Sequence, residues 1–203
     1  MSEVLHQGPL VTKASKALIL IHGRGGTARS ILSLADRICD HDFYVAAPQA
    51  TGNTWYPHSY IEEEKLNEPY LSISIKAIKD LLDQVAKHIP KNQIFFGGFS
   101  QGACLALEVS TRFAVKYGGI FAFTGGLIGN TIEKGKYQGD FEETKVFISN
   151  GDQDPHIPLM RSEQSKELME TLGAHVTLKV YKGRPHTITE DEIKIVKSSI
   201  LCL

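Results

Sequence analysis

Short runs of apolar, mostly branched or aromatic residues recur along the chain: Leu18 to Ile21, Phe43 to Ala47, Ile94 to Phe96, Ile120 to Phe123, Val146 to Ser149 and Val176 to Tyr181. Their hydrophobicity is continuous rather than alternating, the pattern of strands buried on both faces. Helical patterns lie between them. Ile75, Ile78, Leu82 and Val85 are spaced 3, 4 and 3 apart, as one helix face requires, and Ile193, Val196 and Ile200 follow the same rule. A further pattern runs from Ser30 to Ile38, Thr189 with Glu192 can form a capping box for the last helix, and Gly173 can end the helix before it. Strands alternating with helices predict an α/β fold with a mostly parallel central sheet and helices on both faces.

At 203 residues, with no internal repeat, low-complexity tract or linker, one domain over residues 1–203 is expected. The balance of 22 Lys and Arg against 23 Asp and Glu, a net charge of -1, implies no nucleic-acid or membrane-surface partner. The longest early apolar run, Ala17 to Ile21, is far short of the roughly 20 residues of a membrane span, and residues 1 to 12 lack a signal-peptide pattern. A cytoplasmic protein is expected. Cys39, Cys104 and Cys202 are odd in number and widely spaced, which fits reduced thiols, with Cys104 read as a small core residue. There is no CxxC and no histidine pair at i, i+4, so no metal or other cofactor is expected.

The stretch Gly98-Phe99-Ser100-Gln101-Gly102 sits where a strand pattern gives way to a helix pattern. A sharp turn there lifts the Ser100 hydroxyl out of the sheet, and glycines two residues either side let backbone pack closely around it. A serine hydroxyl is a poor nucleophile at neutral pH. It needs a histidine base, and the histidine needs a carboxylate to fix its tautomer. Carboxylates Asp152 and Asp154 follow the Val146 to Ser149 run, and His186 follows the Val176 to Tyr181 run, so all candidates lie at the carboxyl ends of strands. Among eight histidines, position favours His186. Spacing alone leaves Asp152 and Asp154 both open, and Asp152 also reads as a turn residue.

The Gln101 N–H, at the start of a helix, and the N–H of Arg24 in the loop His22-Gly23-Arg24-Gly25-Gly26 are candidate oxyanion donors. Gly23, Gly25 and Ala28 also satisfy the dinucleotide pattern G-x-G-x-x-A, but the second strand run ends in Pro48 and Gln49 rather than a ribose-binding acid. Two long irregular segments, Thr51 to Pro69 and Gly125 to Glu143, each follow a strand and are expected to wall the site. Trp55, Tyr56, Leu127 and Ile128 are candidates for lining an acyl pocket or, equally, for packing as structural plugs. The Arg24 side chain either meets an anionic substrate group or is simply solvated.

In order along nearly the whole chain, the segments LILIHGRGG, GGFSQGA, NGDQDPHIP and RPHTIT resemble the phospholipase/carboxylesterase family of α/β-hydrolases, which includes bacterial carboxylesterases and acyl-protein thioesterases. The resemblance implies an α/β-hydrolase fold and a Ser100, Asp154, His186 triad, the acid being the aspartate before proline. It places the oxyanion donors on the backbones of Arg24 and Gln101. It implies a serine carboxylesterase acting on a small ester or thioester, with a lysophospholipase or acyl-protein thioesterase as alternative. The family's thioesterases usually carry an apolar residue where this chain has Arg24, and Trp55-Tyr56-Pro57 looks closer to the bacterial esterases. A non-catalytic small-molecule-binding protein on the same fold is the more distant reading, and the sequence leaves a homodimer open.

Overall fold

Parallel pairing of the buried runs builds a seven-stranded sheet in the order β1-β3-β2-β4-β5-β6-β7. The strands are β1 (Val4–Gln7), β2 (Lys16–Ile21), β3 (Phe43–Pro48), β4 (Ile94–Phe99), β5 (Gly119–Phe123), β6 (Lys145–Gly151) and β7 (His175–Tyr181). Between them run α1 (Ala28–Ile38), the single turn α2 (Glu64–Asn67), α3 (Tyr70–Val85), α4 (Gln101–Arg112), α5 (Leu159–Thr171) and α6 (Glu190–Ile195), the last continued by a π-helical turn over Val196–Leu201. This computed structural model describes residues 3–203, so Met1 and Ser2, part of the expected 1–203 domain and of the segment read for a signal peptide, lie outside the described residues.

Side chains of each strand sort to opposite faces with period two. Leu18 and Leu20 of β2 join Ile31, Leu34 and Ile38 of α1 and Ile193 of α6 in one core layer. Ala17, Ile19 and Ile21 join Ile78 and Leu82 of α3, Leu105 and Val109 of α4, and Met169 of α5 in the other. Helices therefore cover both faces of one mostly parallel sheet, the α/β arrangement expected. Strand β1 is an addition to the expected set: its four residues pair antiparallel with β3 at the sheet edge. So short a run carries too little periodicity to be read locally.

The connection leaving β2 goes to α1 on one face, and the connection leaving β4 goes to α4 on the other, although β2 and β4 are adjacent with Ile21 beside Gly98. Such a switch point opens a crevice beyond the carboxyl ends of the two strands. The glycine loop and the serine turn face each other across it. Among the described residues, no helix is long and apolar enough to cross a membrane, and no cluster of three or more His, Cys, Asp or Glu could hold a metal ion.

Candidate active site

Ser100 stands between β4 and α4 with φ 54° and ψ −121°. A non-glycine residue holds such backbone angles at a cost of about 1–3 kcal/mol, and only where its surroundings impose them. Here they do. The Ser100 N–H donates to the Phe123 carbonyl of β5 at 3.0 Å, and the Ser100 carbonyl accepts from the Cys104 N–H at 3.0 Å. Close approach of backbones completes the turn: a Cβ on Gly98 would lie 2.5 Å from the Gly102 carbonyl carbon, and one on Gly102 would lie 2.2 Å from the Ile21 carbonyl oxygen. Gly102→Ala is expected to push α4 off β2 and lower Tm by several degrees, about 2–4 °C per kcal/mol for a chain of this size. A thermal melt checks this, and an unchanged Tm would show that β2 and α4 can part without cost.

The Ser100 Oγ lies 2.8 Å from His186 Nε2, and His186 Nδ1 lies 2.8 Å from Asp154 Oδ2. Ionised carboxylates only accept, so Nδ1 carries the ring proton and Nε2 is left to accept from the serine hydroxyl. The side chain of Asp154 is 0% exposed. Burial works against its charge, but the hydrogen bond from His186 and those from the Ile157 and His156 N–H groups, each 2.9 Å to Oδ1, outweigh it and hold the carboxyl below its ordinary value. Asp152 faces elsewhere, its Oδ1 accepting from the Gly183 N–H at 2.7 Å, which is the turn role expected for it. The imidazole is flanked by the Phe99 ring at 5.0 Å and, edge-on, by His156 at 4.8 Å. Burial pushes the Cys104 thiol up to about 12, so it stays protonated and unreactive.

Among the described residues, no acceptor takes the N–H of Arg24 or of Gln101. Gln101 is the first residue of α4, where the N–H has no intrahelical partner and the helix dipole favours negative charge. The side chains of both residues act on the loop from Thr51 to Pro69. Arg24 donates to the carbonyls of Pro57 and His58 at 2.7 Å each, so its guanidinium pins that loop rather than standing free in solvent. Gln101 Oε1 accepts from the Trp55 N–H at 3.0 Å, and Nε2 donates to the Tyr56 carbonyl at 2.8 Å. The sequence signal for these ties is weak, because they join residues more than 30 positions apart.

A cleft of about 880 Å³ opens over Ser100 and His186, walled by α1, by Tyr56 to Ile61 and by Pro155 to Pro158. Only one of the two long segments lines it. The segment from Gly125 to Glu143 is instead drawn into the interior: Arg161 donates to the carbonyls of Leu127, Gly129 and Asn130, and the buried carboxylate of Glu108 accepts from the Ile128 N–H at 2.9 Å. Leu127 and Ile128, both 0% exposed, are therefore packed in the core and do not border this cleft. Trp55 is likewise a plug. Its indole N–H donates to the His22 carbonyl at 2.8 Å, its ring packs 4.9 Å from His22, and it does not reach the cleft. Of the four candidates only Tyr56 borders the cleft.

Comparison with known proteins identifies the family and, with it, the α/β-hydrolase fold. The model of the phospholipase/carboxylesterase family matches residues 10–203. The chain belongs to the phospholipase/carboxylesterase family. A family structure from Dyadobacter fermentans DSM 18053 is 46% identical and superposes with a TM-score of 0.97 over 99% of this chain and 97% of that one. The carboxylesterase of Bacillus cereus shares the fold at 24% identity, with a TM-score of 0.78 over 98% of this chain and 92% of its own. The acyl-protein thioesterase 1 of Saccharomyces cerevisiae is 29% identical, the match covering 94% of this chain and 93% of that protein. The chain is thus a phospholipase/carboxylesterase-family serine hydrolase, and the family implies small ester substrates.

In this family member a buried ion pair braces the loop that carries His186. Arg184 Nη1 bonds Glu192 at 2.5 Å, with side chains 4% and 0% exposed. Arg184 also donates to the Thr187 carbonyl and to Thr124 Oγ1 beyond β5. Glu192 accepts from Ser149 of β6 and, through the expected capping box, from the Thr189 N–H at 2.7 Å. The sequence announced the cap but not the ion pair, since Thr-x-x-Glu is a local pattern and the Arg184 contact is tertiary. Glu192→Ala strips a buried arginine of its counter-ion, which costs about 3–5 kcal/mol. Tm is expected to fall by roughly 10 °C in a calorimetric scan. A fall of a degree or two would mean that Arg184 finds water when the carboxylate is gone.

Proposed function

We propose that the chain hydrolyses small carboxylic esters through a covalent acyl-enzyme on Ser100. The Ser100 Oγ attacks the ester carbonyl carbon while His186 Nε2 takes the hydroxyl proton. Negative charge on the former carbonyl oxygen is stabilised by the N–H groups of Arg24 and Gln101. The tetrahedral adduct collapses, His186 hands its proton to the departing alkoxide, and the alcohol leaves. Water, deprotonated by His186, then attacks the acyl carbon, and the serine leaves with the proton returned to it. Asp154 keeps the ring in the Nδ1–H tautomer and stabilises the imidazolium formed in each half-reaction.

The observation that carries this reading is the continuous hydrogen-bonded series Ser100, His186, Asp154, open at its serine end to the cleft. Free Cys39, Cys104 and Cys202 support a reducing, cytoplasmic compartment. The test is kcat/KM on p-nitrophenyl acetate, butyrate, octanoate and palmitate, with labelling by a fluorophosphonate probe. Turnover that peaks among the shorter acyl chains, with one labelled serine, supports the carboxylesterase. A peak at palmitate supports the lysophospholipase or thioesterase reading, in line with the likeness to the yeast thioesterase. Absence of both turnover and labelling would overturn the mechanism and favour a binding protein.

A further inference from the structure

Apart from Arg24, the arginines with polar partners in this protein fall into two groups. Arg37, Arg112 and Arg184 each pair with a carboxylate, that of Glu190, Glu108 and Glu192 in turn. Arg161, 6% exposed, has no carboxylate but places Nε and both Nη atoms on the Gln164 side chain and three backbone carbonyls. Arg24 belongs to neither group. It is exposed, and the carbonyls of Pro57 and His58 take two of its five N–H donors. Among the described residues no carboxylate lies within ion-pair reach of it. Two neutral carbonyls orient a guanidinium without cancelling its charge.

That charge borders the cleft. Arg24 follows Gly23, where a Cβ would lie 3.4 Å from the Ser100 Cβ, so the guanidinium stands within one side chain's length of the backbone beside the nucleophile. No Asp or Glu borders the cleft. The triad's own carboxylate, Asp154, already accepts from His186 and from two backbone N–H groups. Glu62, Glu63 and Glu64 follow Ile61 on the cleft wall, but Glu63 is held by Lys65 and Glu64 by Arg112 and Lys136, and none of the three borders the cleft. Arg37 also borders it, with its charge already met by Glu190. An anion in the cleft therefore meets an unanswered cation and no carboxylate on the walls.

We propose that the Arg24 side chain binds a carboxylate on the substrate, so that the preferred esters are short half-esters of dicarboxylic acids or esters of short hydroxy acids. The inference rests on the esterase reading and narrows it from small esters to small anionic ones. The two carbonyl bonds hold the guanidinium in place before substrate arrives, and its remaining N–H donors are left for the carboxylate. The bound carboxylate does not change charge during acyl transfer. It is held equally in ground and transition states, so the preference appears chiefly in KM.

The test compares isosteres in which a carboxylate becomes a primary amide. On the acyl side these are the p-nitrophenyl esters of 4-carboxybutanoate and 4-carbamoylbutanoate; on the alcohol side they are 3-acetoxypropanoate and 3-acetoxypropanamide. The ratio of kcat/KM within each pair, net of the enzyme-free rate, is measured for the wild type, Arg24→Gln, Arg24→Lys and Arg37→Gln, so that intrinsic ester reactivity cancels. Arg24→Gln is expected to lose about tenfold of the preference for the carboxylate in one pair, mostly through KM, and that pair tells which arm of the substrate carries the anion. Arg24→Lys keeps the charge and should retain most of the preference, and added salt should shrink it in the wild type. Ratios for Arg24→Gln within twofold of the wild type in both pairs, even with all rates lowered, overturn the carboxylate site and leave Arg24 as an anchor of the loop. A preference lost in Arg37→Gln but kept in Arg24→Gln overturns the assignment to Arg24. Turnover of the amides without the carboxylates overturns the anionic substrate and leaves the esterase reading standing. Failure of the wild type to turn over any of the four esters overturns both.

Discussion

Ser100→Ala is expected to lower kcat on p-nitrophenyl butyrate by about 10⁶-fold, the loss seen when the nucleophile is removed from a serine-histidine-aspartate site of another fold. The expectation comes from the geometry of the turn. Among the described residues no other group donates to the hydroxyl, it is 2.8 Å from the ring nitrogen able to take its proton, and the backbone that presents it is held at φ 54°. Alanine keeps the β4–α4 junction and removes only the oxygen. What remains is catalysis by the free N–H groups of Arg24 and Gln101 and by substrate binding, which exceeds the rate in water by about 10³–10⁴-fold. Stopped assays at high enzyme concentration would resolve that residue. A kcat within tenfold of the wild type would instead place the nucleophile elsewhere. The buried and protonated Cys104 makes a poor substitute.

Asp154→Asn is expected to leave the fold intact and cut kcat by roughly 10⁴-fold, because an amide donates where the carboxylate accepts and so favours the wrong tautomer of His186. The distinction from Asp152 is sharp. Asp152 Oδ1 is occupied by the Gly183 N–H, so Asp152→Asn should change turnover far less, and equal losses in the two variants would undo the assignment. A stability measurement adds an independent check. The folded carboxyl of Asp154 titrates below its ordinary 3.8, so its contribution to stability is complete above that pH and is lost as pH falls through the lower folded value. The gap in unfolding free energy between wild type and Asp154→Asn should therefore hold from neutral pH down to about 4 and close in stronger acid. A gap that stays constant to the acid end would mean that the charge contributes nothing.

Local order in the sequence determined the strands from β2 to β7, the helices α1, α3, α4 and α6, the C-terminal end of α5 at Gly173, the turn around Ser100 and the placing of Asp154 and His186 after successive strands, while the single turn α2 fell inside a segment read as irregular. Each of these follows from periodicity or from a glycine at a fixed offset, and both act over a few residues. Resemblance to the family selected Asp154 over Asp152, and tertiary contacts supply the physical reason, since only Asp154 turns an oxygen to His186 while its other oxygen takes two backbone N–H groups. Tertiary structure alone decided which long segment borders the cleft. Apolar content was the same guide for Trp55, Tyr56, Leu127 and Ile128, yet Arg161, Glu108 and the His22 carbonyl, distant in sequence, draw three of them into the core. The pairing of β1 with β3, the second use of Glu192 as the counter-ion of Arg184, and the anchoring of the Thr51 to Pro69 segment by Arg24 and Gln101 are of the same kind. A side chain's type states which bonds it can make, and only the folded chain settles which partner comes within reach.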